Sequence, residues 1–583
     1  MYRRILIKSC AIALSLFCLT GPMIRSQVNP LAYLRPDPTN KQYFYYNNQT
    51  QAMVGTSGEY LPHINQVNSN FNRNNTYCTL ANFRSCVNEI RSKGMNRMRL
   101  WVGMNFSPGS KTSQSAPTPY PHEQGFKYSG GKWNLDDYDD QDLAGDLDDG
   151  FFTNIRKVIA YCNVAPAVFV EVTIFAPWGG KWELGPWHKD RNTLGKSFTN
   201  PSTGQPSEDY FLRLDNPNFN LNLSANDTDN KTDLNDSNRE LRKRQVAMMK
   251  HLVDYLWDLK NFYWEIANEA DYNINSPQTE LLLWHRYMMK ELYDYEATKG
   301  VHHMIAVNFA SDTALEDAKT MPYLDIVNTH YIHLWPNPNT GFPPSSGYNG
   351  SISTIRKYNV WTGTLNKVFG FNESRITGFF ADPSYGATAD STRVGAWEFM
   401  MNEGGIVDHL NYDWVNFSNP SANNSDSTNA NLYLGMLNKF LRKLPLATMQ
   451  KKLAPTWVVN WPAYPARSKT TVGKYFGTMN SGENVYVLYI HYSKISSHSF
   501  AMYIPDTTTL RTESLTLQAL GQCGNFKYEW FDPKNLQFDF SGNPVPEISS
   551  TIFWQNVSGE VAPIISYSFR TDALLRVTRL STC

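Results

Sequence analysis

The amino-acid sequence predicts an α/β protein, a (β/α)8 TIM barrel followed by a small all-β sandwich domain. Strand-like and helix-like segments alternate eight times between about residue 52 and Leu444, which is the pattern of a closed parallel barrel. From Leu453-Ala-Pro455 onward, short alternating strands are separated by turn residues, which favours a sandwich. The predicted domains are an export signal over residues 1–26, the barrel over 27–450 and the β domain over 455–583.

The predicted barrel strands are short runs rich in β-branched and aromatic residues that end in polar loops. Gln42–Tyr46 and Gln51–Thr56 come first, and the second of them begins the barrel. The near-continuous apolar run Ala167–Phe175 predicts a strand covered on both faces, as in a parallel sheet. The other barrel strands are predicted at Asn96–Val102, Asn261–Glu269, His303–Asn308, Asp325–Tyr331, Lys367–Glu373 and Ile406–Tyr412. The loops after strands are long and those before them short, which places an active site at the carboxyl-end mouth.

Helices fill the intervals between these strands. The first, Leu80–Lys93, closes at the C-cap Gly94, and Ser237-Asn-Arg-Glu240 has the form of a capping box that opens another. Residues 216–236 are rich in Asn and Asp and predict a mobile surface insertion. The remaining helices are predicted at Asp146–Cys162, Thr279–Thr298, Thr313–Lys319, Ser353–Asn366, Ser391–Met401 and Ala430–Leu444.

Charge and composition narrow the possible partners. The 53 basic and 53 acidic side chains cancel, so nothing electrostatic favours nucleic acid or an anionic membrane surface. Aromatic residues make up 14% of the chain; their clustering in loops suits stacking on sugar rings, although such loops also serve as plain packing. The sequence has no Cys-x-x-Cys motif or His cluster, so we expect no metal site and no cofactor. It does not predict the oligomeric state.

The N-terminus has the form of an export signal. Arg3, Arg4 and Lys8 precede the apolar run Cys10–Leu19, which is too short to span a bilayer. We expect cleavage between residues 20 and 27 and a soluble protein that is secreted or periplasmic. Cys18 is a poor lipidation site because the bulky Phe17 precedes it, and no later segment predicts a membrane helix.

Five cysteines follow the predicted signal. Cys78 and Cys86 are close enough in sequence to form a disulfide, which an exported protein permits. The others are Cys162, Cys523 and Cys583, and the odd count leaves at least one thiol unpaired.

Two carboxylates end predicted barrel strands on opposite sides of the lumen. Glu269 ends the fourth strand and Glu373 ends the seventh. Hydrolysis of a glycosidic bond with retention needs two carboxyl groups roughly 5–5.5 Å apart, one as acid and one as nucleophile. Each Glu taken singly is also compatible with a solvated loop position. Together, at matching strand ends, they predict a catalytic pair.

Two other carboxylates compete with this pair. Glu265 lies four residues before Glu269 on the same strand face, so we expect it deeper in the barrel, paired with a basic group. Asp382 would be the alternative nucleophile if the seventh strand were Gly378–Phe380. That choice leaves the Gly370-Phe-Asn-Glu segment unexplained.

The strand-end motifs resemble those of a known family. Trp264-Glu-Ile-Ala-Asn268-Glu269 resembles the acid/base motif of clan A retaining glycoside hydrolases, the family 5 cellulase-like barrels and their relatives. Lys367–Glu373 resembles the nucleophile strand of a branch with the pattern Lys-Pro-x-Gly-Phe-x-Glu, with Val368 in place of the usual Pro. Ala396–Gly405 resembles the helix and Gly-Gly turn that follow there. The resemblance spans most of residues 43–583 and includes the C-terminal β domain.

The resemblance assigns a role to each matching residue. It makes Glu269 the acid/base and Glu373 the nucleophile, and Asn268 would hydrogen-bond the sugar 2-hydroxyl. Arg99 would keep Glu373 ionised by charge pairing, with a structural ion pair as the alternative. His330 or Tyr331 would contact substrate or nucleophile, and Trp414 would form the floor of the sugar site, with ordinary packing as the alternative for His330 and Trp414.

The predicted function is a secreted glycoside hydrolase that cleaves β-glycosidic bonds of an oligo- or polysaccharide by retaining double displacement. A non-catalytic carbohydrate-binding protein on the same scaffold is the alternative. A metal-dependent barrel hydrolase is a weaker one, because strand ends carry few His residues and no His-x-His pair.

Overall fold

The computed structural model describes most of the two predicted domains. The described residues are 33–57, 83–104, 125–140, 150–176, 185–222, 231–270, 278–309, 314, 317–318, 320–329, 367–372, 376–377, 388–402, 404–411, 420–452, 457–459, 461, 471–482, 484–495, 503–518, 520, 523–554 and 563–583. Within these ranges no helix is both long and apolar enough to cross a membrane.

Eight parallel strands close into a barrel, which confirms the predicted fold class. Three short antiparallel strands precede it: β1 (Arg35–Pro36), β2 (Phe44–Tyr46) and β3 (Gln49–Gln51). A hairpin of β6 (Phe126–Ser129) and β7 (Lys132–Tyr138) follows the second barrel strand. The barrel strands are β4 (Met53–Ser57), β5 (Arg97–Met104), β8 (Phe169–Ala176), β9 (Phe262–Ala267), β10 (Ile305–Phe309), β11 (Ile326–Thr329), β12 (Val368–Phe371) and β14 (Ile406–Asn411).

Closure of the barrel depends on β14, which pairs with β12 on one side and with β4 on the other. Strand seven is therefore Val368–Phe371, as predicted from the Lys367–Glu373 segment. The two-residue strand β13 (Ile376–Thr377) pairs with the end of β14 outside this ring.

Six helices are described. Those that follow barrel strands pack apolar faces on the barrel wall, and the segment predicted as a helix at Ser353–Asn366 lies outside the described residues. The helices are α1 (Phe83–Lys93), α2 (Phe151–Cys162), α3 (Asp236–Leu256), α4 (Gln278–Lys299), α5 (Ala389–Asn402) and α6 (Pro420–Leu441).

The predicted capping box at Ser237 is wrong by two residues. Helix α3 begins at Asp236, and its N-cap is Asn235, whose side chain accepts hydrogen bonds from the backbone N–H groups of Ser237 and Asn238. An Asn at this position satisfies the same unpaired donors as a Ser. The Ser237 hydroxyl instead donates to Ser197 O at 2.9 Å.

Buried acidic side chains lie at both ends of the Asn/Asp-rich segment, so this segment is not wholly the surface insertion that was predicted. Asp233 is 0% exposed and Asp215 is 4% exposed. The Asp215 carboxylate accepts hydrogen bonds from the backbone N–H groups of Leu234 and Asn235, and Asp233 pairs with the buried Arg242. The acidic side chains here organise the entry to α3, a use that composition alone does not reveal.

The barrel is closed at its amino end by apolar packing. Phe44 and Tyr46 of β2 lie in one buried cluster with inward residues at the starts of the strands. That cluster includes Met53, Phe169, Tyr263, Ala306, Ile326, Val368 and Ile406. Because this end is sealed, polar groups of the interior can meet solvent or substrate only toward the carboxyl ends.

The C-terminal region is antiparallel and forms the predicted sandwich-like domain. A seven-stranded sheet faces the β19–β24 ribbon across a separate apolar core. Its first strand, β15, lies just before residue 455, where the β domain was predicted to begin. The strands are β15 (Gln450–Lys452), β16 (Gly473–Ser481), β17 (Val485–Ile495), β18 (Tyr503–Pro505), β19 (Arg511–Thr516), β20 (Gly524–Phe531), β21 (Gln537–Phe538), β22 (Pro544–Val545), β23 (Ile548–Trp554), β24 (Ile564–Phe569) and β25 (Asp572–Thr582).

Three of the four described cysteines are disulfide-bonded and one is free. Cys523 and Cys583 form a disulfide within the β domain, a pair that the sequence did not single out. Cys86 is disulfide-bonded, and its predicted partner Cys78 lies outside the described residues. Cys162 is a free, buried thiol.

Helix α5 joins the two domains. All of its residues except Asp390 are buried, because the barrel covers one side and β16, β17 and β18 cover the other. Arg393 forms a forked ion pair with Asp572 of β25, with Nη2–Oδ1 at 2.8 Å and Nε–Oδ2 at 3.1 Å. The Tyr489 hydroxyl donates to the same carboxylate at 2.8 Å, so the interface buries a fully hydrogen-bonded charge pair.

Candidate functional site

Charged side chains, rather than apolar ones, fill the middle of the barrel. Two guanidinium groups and three carboxylates lie there, each 0% exposed. Such groups are buried only when they are paired and hydrogen-bonded, because desolvation costs several kcal/mol per ion. They are Arg97 and Arg99 of β5, Glu171 of β8, Glu265 of β9 and Asp408 of β14, and we call these five residues the barrel cluster.

Arg97 ties three strands together in the lower part of the barrel cluster. Its Nη2 lies 2.8 Å from Glu171 Oε2, and its Nη1 pairs with Asp408. Its Nε donates to the Tyr263 hydroxyl at 3.1 Å. That hydroxyl donates in turn to Glu171 Oε2 at 2.6 Å, so Arg97 is held by strands on both sides of β5.

Arg99 connects the barrel cluster to the carboxyl end of β9. Its Nε lies 2.8 Å from Glu171 Oε1, and its Nη2 pairs with Glu265. The same Nη2 donates to Asn268 Oδ1 at 2.6 Å. Arg99 therefore fixes the side chain that immediately precedes the candidate acid/base.

Two amide groups bridge the paired carboxylates. Asn328 Nδ2 donates to Glu171 Oε2 at 2.8 Å and to Glu265 Oε2 at 2.9 Å. Asn372 Nδ2 donates to Glu171 Oε1 at 2.7 Å and to Glu265 Oε2 at 3.0 Å. Asn308 Nδ2 donates to Asn372 Oδ1 at 3.0 Å. Donors from β11 and the end of β12 thus contact both carboxylates, and β10 holds the Asn372 amide in place.

Glycines on two strands make room for these side chains. A Cβ at Gly370 would lie 2.1 Å from Asn328 Oδ1, and a Cβ at Gly55 would lie 2.1 Å from Arg97 O. Real Cβ atoms do not approach other atoms so closely. A side chain at either position would displace a member of the barrel cluster or the backbone that carries it.

The two bridged carboxylates differ in proton affinity. Burial raises the pKa of Glu171, but Arg97 and Arg99 outweigh it and hold the pKa at about 2. Burial raises the pKa of Glu265 to about 7, against the lowering effect of Arg99. Glu171 contacts both guanidinium groups and Glu265 only one, so Glu265 binds a proton more readily than Glu171 does.

Asn268 and Glu269 lie at the carboxyl-end mouth as predicted. Asn268 is 1% exposed, and its N–H extends the β8–β9 ladder by donating to Phe175 O at 2.9 Å. Glu269 is 7% exposed and has a left-handed backbone, with φ 44°. A non-glycine residue in this region is strained, and such strain is concentrated at functional sites.

The structure places some predicted site residues and not others. Arg99 contacts Glu171, Glu265 and Asn268, and its predicted partner Glu373 lies outside the described residues. The predicted pairing of Glu265 with a basic group is confirmed by its contact with Arg99. His330, Tyr331, Trp414 and the alternative nucleophile Asp382 also lie outside the described residues.

The sequence reasoning missed most of the barrel cluster. Glu171 stands alone in the apolar run Ala167–Phe175, and a lone carboxylate in a buried strand signals a buried partner. Arg97, Asp408 and Asn328 share this feature of a polar residue inside a buried strand, and Asn372 directly follows one. Within the described ranges no group of three or more His, Cys, Asp or Glu side chains could hold a metal ion.

Comparison with known proteins defines the class of the fold. No protein-family model matches the sequence, and no curated protein is significantly similar to it. Solved structures do match. One described as a glycoside hydrolase is 11% identical, with 95% of this chain and 98% of that chain covered and a TM-score of 0.54. A glycoside hydrolase family 5 structure from Bacteroides vulgatus ATCC 8482 is 11% identical, with 95% of each chain covered and a TM-score of 0.54.

These likenesses extend over both domains. The chain therefore has the fold of these structures, a (β/α)8 barrel followed by a β domain, as the motif resemblance implied. At this level of identity the comparison establishes the fold and not the reaction.

The shifted pKa values predict an unusual dependence of stability on pH. Glu265 keeps its proton in the folded state up to about pH 7, whereas in the unfolded chain it loses the proton near its ordinary value of about 4.3. The folded state then binds more protons between these values, so the free energy of unfolding falls as pH rises from about 5 to about 7. Glu171 acts oppositely, and its contribution is lost as pH falls below about 4.5.

Urea denaturation of the wild type and Glu265→Gln between pH 4 and 8 measures this effect. The variant should lack the decline between pH 5 and 7 that the wild type shows. Equal slopes in the two proteins would contradict the assignment of the proton to Glu265.

Proposed function

We propose that this chain is a glycoside hydrolase that cleaves β-glycosidic bonds in an oligo- or polysaccharide by a retaining double-displacement mechanism. The main support for the proposal is the burial, backbone conformation and position of Glu269. Glu269 is a nearly buried carboxylate with a strained left-handed backbone. It lies at the mouth of a barrel whose solved structural counterparts are described as glycoside hydrolases.

In the proposed mechanism Glu373 is the nucleophile and Glu269 the acid/base. The carboxylate of Glu373 attacks the anomeric carbon while Glu269 gives its proton to the departing glycosidic oxygen. Water then attacks the glycosyl-enzyme ester, and Glu269 removes the proton of that water. Strand order supports the pairing, because β9 and β12 are separated by two strands around the ring and run parallel, so that their carboxyl ends lie at the same mouth.

Asn268 is the proposed ligand of the sugar 2-hydroxyl. Its Oδ1 accepts from Arg99, which orients the amide so that the NH2 group is the part directed away from the barrel cluster. A donor in that place can bind a substrate hydroxyl, and the interaction strengthens in an oxocarbenium-like transition state. His330 or Tyr331 and Trp414 are proposed to complete the substrate site.

The stereochemical outcome tests the mechanism directly. Double displacement inverts the anomeric centre twice, so the first product from a β-glycan should be the β-anomer. Proton NMR of the reaction within the first minutes, before mutarotation, identifies it. An α-anomer as first product would show that the two carboxylates do not act as proposed.

Substitutions of the two carboxylates should have different signatures. Glu269→Gln removes the proton donor, so hydrolysis of substrates with poor leaving groups should fall about 10²–10⁴-fold. Aryl glycosides with good leaving groups need little protonation, and their first step should be affected far less. Glu373→Gln should abolish turnover of both substrate types, while the surface variant Glu240→Gln serves as the control. Full activity in both Glu269→Gln and Glu373→Gln would place the active site elsewhere.

We also propose that the protein is exported, on the basis of Arg3, Arg4, Lys8 and the apolar run that follows them. A cleaved signal leaves a mature chain that begins between residues 21 and 27. N-terminal sequencing of protein recovered from the medium or periplasm of an expressing bacterium measures this. Retention of the full chain in the cytoplasm would refute export.

A further inference from the structure

We propose that Glu171 and Glu265 are positioning residues that hold the two candidate catalytic strand ends at a fixed separation. The inference rests on the proposed function and extends it to residues that touch no substrate. Each candidate catalytic Glu follows an Asn, and both of these Asn side chains are anchored in the barrel cluster. Asn268 reaches it through Arg99, and Asn372 contacts both carboxylates directly.

The two catalytic strands are not hydrogen-bonded to each other. Strands β10 and β11 separate β9 from β12 along the wall. The backbone hydrogen bonds of the wall therefore connect β9 to β12 only through three successive strand pairings. The barrel cluster provides a direct connection across the lumen. Glu265 belongs to β9 itself and accepts from Asn372 at the end of β12, so one side chain spans the gap.

Of the two intervening strands, β11 contacts the same carboxylates directly and β10 contacts Asn372. Asn328 of β11 donates to both of them, and Asn308 of β10 donates to Asn372. Retaining hydrolysis requires the two carboxyl groups within a narrow distance range of roughly 5–5.5 Å. Misplacement by about 1 Å can reduce the rate about 10²-fold even when the substitution is remote from the chemistry.

Glu265 cannot be replaced by its amide without breaking one side of this connection. Its Oε1 accepts from Arg99 and lies 3.0 Å from the Thr173 hydroxyl, and its Oε2 accepts from Asn328 and Asn372. The neutral acid keeps all four contacts, because a proton on Oε1 can be donated to the Thr173 hydroxyl oxygen while Oε1 still accepts from Arg99. A Gln has one acceptor and one donor end. Whichever way it is turned, its NH2 group meets N–H donors, either those that hold β9 or those that hold β12.

The test compares Glu265→Gln with Glu296→Gln in the full-length protein. Glu296 is equally buried and lies behind the same strand, where it accepts from Trp264 Nε1 and His303 N, both at 2.8 Å. Both variants should lose stability. After correction for the folded fraction, we expect Glu265→Gln to lower kcat about 10–100-fold, and Glu296→Gln to leave kcat within about twofold.

A leaving-group series separates positioning from acid catalysis. Misplacement of both carboxylates slows both chemical steps, so Glu265→Gln should lower kcat by a similar factor for aryl glycosides with good and poor leaving groups, with little change in KM. Glu269→Gln should instead show a steep dependence on the leaving group. If Glu265→Gln does not fold, Asn372→Ser releases only the end of β12 and should give the same leaving-group-independent loss.

The outcomes distinguish the two proposals. A kcat for Glu265→Gln, or for Asn372→Ser, that matches Glu296→Gln overturns the positioning role while leaving the catalytic pair intact. Full activity in Glu269→Gln and Glu373→Gln overturns the catalytic pair itself. A loss in Glu265→Gln that depends on the leaving group as steeply as that of Glu269→Gln also overturns the positioning role.

Discussion

The burial of three carboxylates with two guanidinium groups inside a sealed barrel is the constraint on which the rest of the structure depends. An isolated charge in this place would cost many kcal/mol, and only a complete set of partners offsets that cost. The partners come from β5, β8, β9, β11, the end of β12 and β14. The cluster therefore specifies which residues face inward and, through them, the register of the strands.

The same constraint explains where small and apolar residues occur. Gly55 and Gly370 stand beside the cluster because a Cβ at either position would collide with Arg97 or Asn328. Below them, Phe169, Tyr263 and Val368 form the apolar floor that excludes water from the ion pairs. Because the amino end is sealed, the polar side chains of the interior can be reached only from the carboxyl-end mouth, where Asn268 and Glu269 lie.

The sequence was sufficient to predict the barrel, because eight strand-like segments recur with helix-like segments between most of them, although the β6–β7 hairpin after the second barrel strand was not predicted. It also placed Asn268 and Glu269 correctly, since a polar pair at the end of an apolar run is a local signal. The barrel cluster was beyond such reasoning: Glu171 and Asp408 are far apart in sequence, and their common partner Arg97 is defined only when the ring closes. The N-cap of α3 was misplaced for a smaller reason, because Asn235 and Ser237 have similar capping chemistry and only the backbone path decides between them.

Because helix α5 packs against both domains, the β domain is part of the structural support of the barrel. This helix follows strand seven, and its Arg393 finds its counter-ion in Asp572, near the end of the chain. Removal of the β domain would leave that guanidinium with only Asp390 of its own helix as a carboxylate partner, and would expose the apolar side of α5 that now packs on the β domain. The barrel and the β domain therefore share the burial of α5, and the barrel cannot be excised without exposing part of that helix.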